Sequence, residues 1–513
     1  MNDKITESKD SLLRSGVRNS LYNLCGWFVP ALTFLAITPY IVSKLGLDGF
    51  GVLTLTTVLT GYMSFLNLGM GPAITRHVSS HLSLGEWREL GEVIGTSAFI
   101  FLGVGIVGSV IVYFISPWLV YDLFNIPNVL EADALFAFRL TAIGFFLQMV
   151  IAYLRGMSIG YSRFEITNVS KIIRIVLSSG LIIFVLYAGF GLRAVMIAII
   201  IGMGVSALIN WIWIFSVPPK CHVRFAPHRV KELFSFGIHI FIRRTASLIA
   251  SKSGQIALGS LSAVANVSFF EIPARVVQTG AEALNRLMEV MFPISSGLFS
   301  TAQSERLKVL FLRVFRFQLL ISLPTLLVFL LEGRFLLHIW LGETFANKGA
   351  VVLSILGMAY FLSSLTNLPS YIALGCGRPR ICAAFSVIQL IVVLVLIIPL
   401  TRKYGLMGIS LVILAGQVPA LLFVKYVSNK VIGLSIWHTI GRELFFHGSI
   451  SLVTVLFIWY LGTFLGLVSF FRLVLILFIY TIYWGLSFIS GLIHEEDVRT
   501  IKKIFAILGK IHE

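Results

Sequence analysis

The residues best placed to do chemistry lie between positions 271 and 289: Glu271, Arg275, Gln278, Glu282, Arg286 and Glu289. Their spacings of four, three, four, four and three are those of one helical face. At 3.6 residues per turn all six fall within an arc of about 80°. Asn285 lies at the edge of the same stripe. Glu271 with Arg275, Glu282 with Arg286, and Arg286 with Glu289 stand at distances along the helix that permit pairing. The segment is otherwise apolar. A charge at the centre of a bilayer costs about 3 kcal/mol or more, so such a stripe cannot face lipid. Two arrangements remain. The stripe is either an ion-pair ladder joining neighbouring helices or one wall of a water-filled cavity.

Other cations can contribute to such a cavity. Arg243 and Arg244 lie on the preceding hydrophobic segment. Being adjacent, they point about 100° apart, so at most one points squarely inward. Arg18, Lys171 and Arg174 sit near the expected cytoplasmic edge of the first half. They either add positive charge to the cavity or anchor helix ends as ordinary cytoplasmic cations. Cations lining a cavity select an anionic substrate. Guanidinium groups match phosphate or pyrophosphate oxygens in a bidentate fashion.

The elements that carry these residues are membrane helices. The 513-residue chain is 57% hydrophobic and 12% charged, with a mean hydropathy of +0.93. Soluble domains carry about twice that charged fraction. Apolar runs of about 20 residues recur along the sequence, the length a helix needs to cross the hydrocarbon core. Strands of a membrane barrel would alternate polar and apolar residues, and these runs do not. Fourteen helices are expected, at 21–43, 52–74, 92–115, 134–154, 169–188, 193–217, 233–252, 256–297, 310–331, 350–373, 381–400, 406–427, 443–465 and 470–492.

Charge sets the orientation. Of 40 Lys and Arg, 27 fall on the side of the N-terminus, 8 on the opposite side and 5 at membrane depth. Cytoplasmic loops concentrate basic residues, so both termini are expected in the cytoplasm. The same rule accounts for the formal charge of +17 without nucleic acid. The tail has an amphipathic pattern suited to an anionic leaflet. Cys25, Cys221, Cys376 and Cys382 lack metal-ligand spacing, and a disulfide is not expected among them. His77 and His81 are four apart but have no third ligand, and read as surface histidines.

A weak internal repeat divides the chain. The stretch Asn19–Gly51 before the second helix parallels Leu233–Phe269 before the eighth. The expected organisation is an N-lobe of six helices at 1–217, a basic cytoplasmic linker at 218–232 and a C-lobe of six helices at 233–428. Two added helices at 429–492 and a tail at 493–513 follow. Paired repeats of this kind are the plan of many secondary transporters, with the substrate site between them. Walker, HExxH and GxSxG motifs are absent from the sequence, so no enzyme and no nucleotide-driven pump is indicated.

Several segments carry a family resemblance. Lys44-Leu-Gly-Leu-Asp-Gly-Phe-Gly51, then Phe65-Leu-Asn-Leu-Gly-Met-Gly-Pro-Ala-Ile-Thr-Arg76, resemble the oligosaccharide flippases of bacterial polysaccharide export. Ile339-Trp-Leu-Gly342 and Leu374-Gly-Cys-Gly-Arg-Pro-Arg380 resemble that family's second half. The chain is similar also to the wider superfamily of lipid II flippases and multidrug extruders. The resemblance implies a multi-pass protein of the bacterial inner membrane that flips undecaprenyl-pyrophosphate-linked oligosaccharides by alternating access. It further implies a monomer without a resident cofactor, driven by the membrane potential or by an H+ or Na+ gradient, with Glu271, Glu282 and Glu289 as candidate coupling sites. A polysaccharide polymerase and glycosyltransferases would be its partners. The competing readings are a cation-coupled multidrug extruder, which the cavity arginines disfavour, a flippase for another lipid-linked precursor, and a non-transporting membrane scaffold of an assembly complex.

Overall fold

A computed structural model describes residues 2–63, 70–161, 163–216, 222–289, 291–300, 303–434 and 436–464, with isolated helical positions beyond. The side chains of residues 1–27 and 231–244, and those of Arg286 and Glu289, lie outside the described set. So do most of the expected helix at 470–492 and the tail at 493–513.

The described residues form helices and turns, without strands. The helices are α1 (Asn2–Met63), α2 (Met70–Leu84), α3 (Trp87–Trp118), α4 (Glu131–Gly160), α5 (Phe164–Tyr187), α6 (Leu192–Ser216), α7 (Pro227–Leu261), α8 (Ala265–Glu289), α9 (Met291–Ser300), α10 (Ser304–Leu331), α11 (Gly333–Leu341), α12 (Glu343–Gly375), α13 (Pro379–Gln417), α14 (Pro419–Val427) and α15 (Ile436–Phe464). Among the described residues, eight helical stretches are long and apolar enough to cross a membrane. In lipid, closed intrahelical hydrogen bonding is what permits this.

Two of these stretches each hold a pair of expected helices. Within α1, Gly46 has φ 70° and ψ 176°. Within α13, Gly405 has φ 53° and ψ −123°. Both conformations are open essentially to glycine alone, and each ends one helix and begins the next. Arg380–Ile432 spans 53 residues, which as a straight helix would be about 80 Å long. The reversal at Gly405 divides it into the two helices expected at 381–400 and 406–427. In contrast, among the described residues α8 is not one of the apolar spans, because Glu271, Arg275 and Glu282 dilute its hydropathy.

The chain divides into two compact units, Met1–Ser268 and Phe269–Glu513. In the first, α2, α3 and α4 share a core built on Ile74, Val78, Val93, Phe101, Phe145 and Met149. Lipid supplies no hydrophobic drive between helices, so close backbone approach does the work. Gly108 of α3 sits where a Cβ would overlap the Phe145 ring. The Thr75 hydroxyl donates to the Gly156 carbonyl at 3.1 Å. In the second unit α12 is central, touching α9, α10, α11, α13 and α14. Its core joins Leu284, Phe311, Phe315, Leu319, Leu368 and Ile372.

The seam between units falls at Ser268–Phe269, whereas the repeat places a break at 218–232. The helix α7, expected to open the second lobe, packs against α1, α2 and α3 of the first unit. The short helix α11 stands where a loop is expected. It closes on Gly342 with φ 85°, so the Ile339–Gly342 motif is a helix end.

Candidate functional site

α8 is strongly amphipathic, and its polar face carries the described residues of the stripe. Ile272, Ala274, Val277, Leu284 and Met288 are buried, Leu284 and Met288 in the core of the second unit. On the opposite face Arg275 and Glu282 are exposed, and Glu271, Gln278 and Asn285 are half-buried. The Gln278 amide donates to a Glu282 carboxylate oxygen at 3.2 Å. Thr279 donates to the Arg275 carbonyl at 2.7 Å, a local bond that satisfies its hydroxyl. From α12, the Tyr371 hydroxyl donates to the Asn285 side-chain oxygen at 3.2 Å. Tyr360 of α12 lies close enough to feel the charges of Glu271, Glu282 and Arg275. Glu271 and Arg275 are themselves engaged with partners.

The buried face of α8 borders a cavity of about 270 Å³ enclosed with α10 and α12. Ser322, Thr325, Tyr360 and Ser364 supply its hydroxyls, and apolar side chains the rest. This cavity is on the side away from Arg275 and Glu282.

In the first unit, Lys171 is exposed and Arg174 half-buried, one turn apart on α5. Arg174 lies within electrostatic reach of Arg155 of α4, so like charges gather there. Sequence reasoning did not single out Arg155. Its position five residues before the end of α4 was the available signal. Arg243 and Arg244 lie on α7, Arg18 on α1, and Arg286 and Glu289 on α8; their side chains are outside the described residues. The structure brings Glu271, Arg275, Gln278, Glu282 and Asn285 onto one face, and Lys171 with Arg174 onto another helix of the other unit. The histidines stack, with ring centroids 6.1 Å apart, and His81 Nδ1 meets Glu86 at 2.6 Å. No cluster of three or more His, Cys, Asp or Glu suited to a metal occurs among the described residues.

A sequence family described as polysaccharide biosynthesis protein matches residues 45–349. The chain belongs to that family. A Shigella flexneri protein named as a candidate O-antigen transporter is 25% identical over 401 residues, covering 77% of this chain and 93% of its own. The membrane protein EpsK of Bacillus subtilis is 22% identical over 405 residues, 76% of this chain and 78% of its own. Among solved structures, the lipid II flippase MurJ superposes with a TM-score of 0.70 at 11% identity, covering 93% of this chain and 99% of MurJ. An inward-facing multidrug transporter of the MATE family gives 0.63 at 16% identity, covering 80% and 93%. At such identities the likeness is one of fold. The relatives named for an activity are transporters and flippases, and this family member is a multi-pass membrane protein of their architecture, not an enzyme.

Proposed function

We propose that this chain flips undecaprenyl-pyrophosphate-linked oligosaccharide repeat units across the bacterial cytoplasmic membrane, by alternating access of two six-helix lobes within a fourteen-helix topology. The family and the transporter fold support a polysaccharide-precursor flippase. The observation that carries the reading further is the exposure of Arg275 and Glu282 on a helix whose other face is buried. Charges left uncovered at membrane depth require water beside them. A watered path with guanidinium groups suits pyrophosphate and sugar hydroxyls, while the lipid tail stays in the bilayer. In this reading Arg275 binds the pyrophosphate, with Arg286, Arg243, Arg244, Arg18, Lys171 and Arg174 as further cations along the path. Glu271, Glu282 and Glu289 are the candidate groups for H+ or Na+ coupling. The chain works as a monomer beside a polymerase and glycosyltransferases.

The test is Arg275→Ala in proteoliposomes holding lipid-linked oligosaccharide. Removing a bidentate charged contact costs about 2 kcal/mol or more, so translocation should fall at least tenfold while the purified variant keeps its melting temperature. Unchanged translocation by a folded Arg275→Ala protein would refute the assignment. Transport of amphipathic cations in place of the lipid-linked sugar would favour the multidrug reading.

A further inference from the structure

The helices α8 and α12 lie side by side and run in the same direction. The Tyr371 hydroxyl donates to the Asn285 side-chain oxygen at 3.2 Å, and earlier along both helices they share a cavity with α10. The cavity exists because Gly280, Ala281 and Ala283 of α8 and Gly357 of α12 carry little or no side chain along its wall. Tyr360 precedes Tyr371 by eleven residues, and Ala274 precedes Asn285 by as many. At equal rise per residue, Tyr360 stands level with Ala274, next to Arg275. Its electrostatic reach to Glu271, Arg275 and Glu282 agrees with that register. The same tyrosine lines the cavity, so it stands between the cavity and the charged face of α8.

The polar wall of the cavity comes from α10 and α12. Gln318 of α10 is fully buried, and its amide nitrogen donates to the carbonyl of Ser364, a residue of the cavity wall. Its Oε1 is buried without a hydrogen-bond partner among the described residues. Ser322, one turn further along α10, faces the cavity and is 9% exposed. Its Oγ likewise has no partner among the described residues. The Thr325 hydroxyl donates to the Ile321 carbonyl and the Ser364 hydroxyl to the Phe361 carbonyl, each at 2.7 Å, so both oxygens keep the capacity to accept. A buried polar atom left bare costs about 1–3 kcal/mol. Two such atoms on one cavity call for an occupant that both donates and accepts hydrogen bonds.

We propose that this cavity is a water site built into the second unit. Ordered waters bridge Gln318 Oε1, Ser322 Oγ and the Tyr360 hydroxyl, and through Tyr360 they bring solvent up to the charged face of α8 from its buried side. The volume of about 270 Å³ is ample, since one water takes about 30 Å³. Two other occupants fit less well. Na+ would lie at membrane depth beside hydroxyls and an amide alone, because none of the lining residues is charged, and an uncompensated ion is costly there. An acyl chain would cover the apolar wall but leave Gln318 Oε1 and Ser322 Oγ bare. The water site is independent of the transport reading, and no translocation is needed to detect it.

Radiolytic labelling of the full chain in nanodiscs tests it. A brief X-ray pulse splits protein-bound water into hydroxyl radicals in place, and mass spectrometry reads which buried side chains they oxidise. A membrane-impermeant scavenger in the buffer removes radicals made in bulk water. Phe361 lines the cavity, whereas Phe311 is fully buried in the core of the same unit. Phe361 should be oxidised about fivefold faster than Phe311 or more. Ser322→Val, which removes one anchor of the waters, should slow Phe361 by about threefold and leave Phe311 unchanged. Equal labelling of the two phenylalanines in the unaltered chain overturns the proposal. So does a melting temperature about 3 °C or more higher in Na+ than in equal K+ that is lost in Ser322→Val, since the site would then hold a cation. If Ser322→Val does not fold, the comparison of Phe361 with Phe311 in the unaltered chain decides alone.

Discussion

At Arg275 and Glu282 the energetics of the bilayer and the exposure of the side chain meet. Their types and spacing were legible because a helical face is a rule of sequence, and a charge in an apolar segment stands out against it. What touches them was not legible. Tyr371 reaches Asn285 across 86 residues, and no local pattern announces that contact. Tyr371→Phe should cost about 1 kcal/mol of stability, read as a small drop in the melting temperature of the detergent-solubilised protein, with translocation near normal. The arginine count alone also could not say that Arg174 sits near Arg155 on the first unit. Cysteine chemistry gives a second test at this scale. Cys376 is buried and its thiol unbridged. Burial pushes the Cys376 thiol above its usual range, with Arg378 pulling weakly the other way. The reactive thiolate therefore forms only at higher pH than for a free cysteine. Maleimide labelling of Cys376 should be slow at pH 7 and accelerate on the alkaline side of the ordinary thiol range. Rapid labelling at neutral pH would contradict the burial.

Helix ends are decided by backbone conformation, which hydropathy does not see. The apolar runs located most of the crossings, yet the reversals at Gly46 and Gly405 are conformational facts about single residues. Gly405→Ala forces an alanine into φ 53°, ψ −123°, a cost of about 1–3 kcal/mol. Thermal unfolding in detergent should register it, and the same alanine at Gly180, which has open space around it, should not. In α3, Gly108→Leu would drive a branched side chain into the Phe145 ring. Overpacking of this kind costs about 1–3 kcal/mol, so lower expression and an earlier melting transition are expected. The segment 218–232 reads as a basic cytoplasmic linker because its cations dominate the pattern. Its described part is docked, since two glycines of α3 clear a lane for it and one glutamate holds its charges. The short helix α11 escaped for a related reason: nine residues are too few to show as a membrane span.

For the whole molecule, composition alone was decisive: a chain so poor in charge has no water-facing shell, and the all-helical membrane architecture follows. The pairing of helices into units did not follow, because sequence repeats record similarity and not contact. Reporter fusions check the proposed topology. Alkaline phosphatase joined after Asn125 should be active, and a fluorescent protein joined to the C-terminus should fold and glow; inactive phosphatase at Asn125 would invert the assignment. The position of α7 carries a consequence for how such a chain could have arisen. If its halves descend from a duplicated ancestor, the copy boundary precedes α7 while the packing boundary follows it. The second copy would then have given its first helix to its neighbour, as a half-protein lending an arm does when it dimerises. Fusing the genes would make that exchange permanent. Neither half expressed from a cut at 218–232 should then close its own bundle, whereas the two halves made together should reassemble around the shared helix.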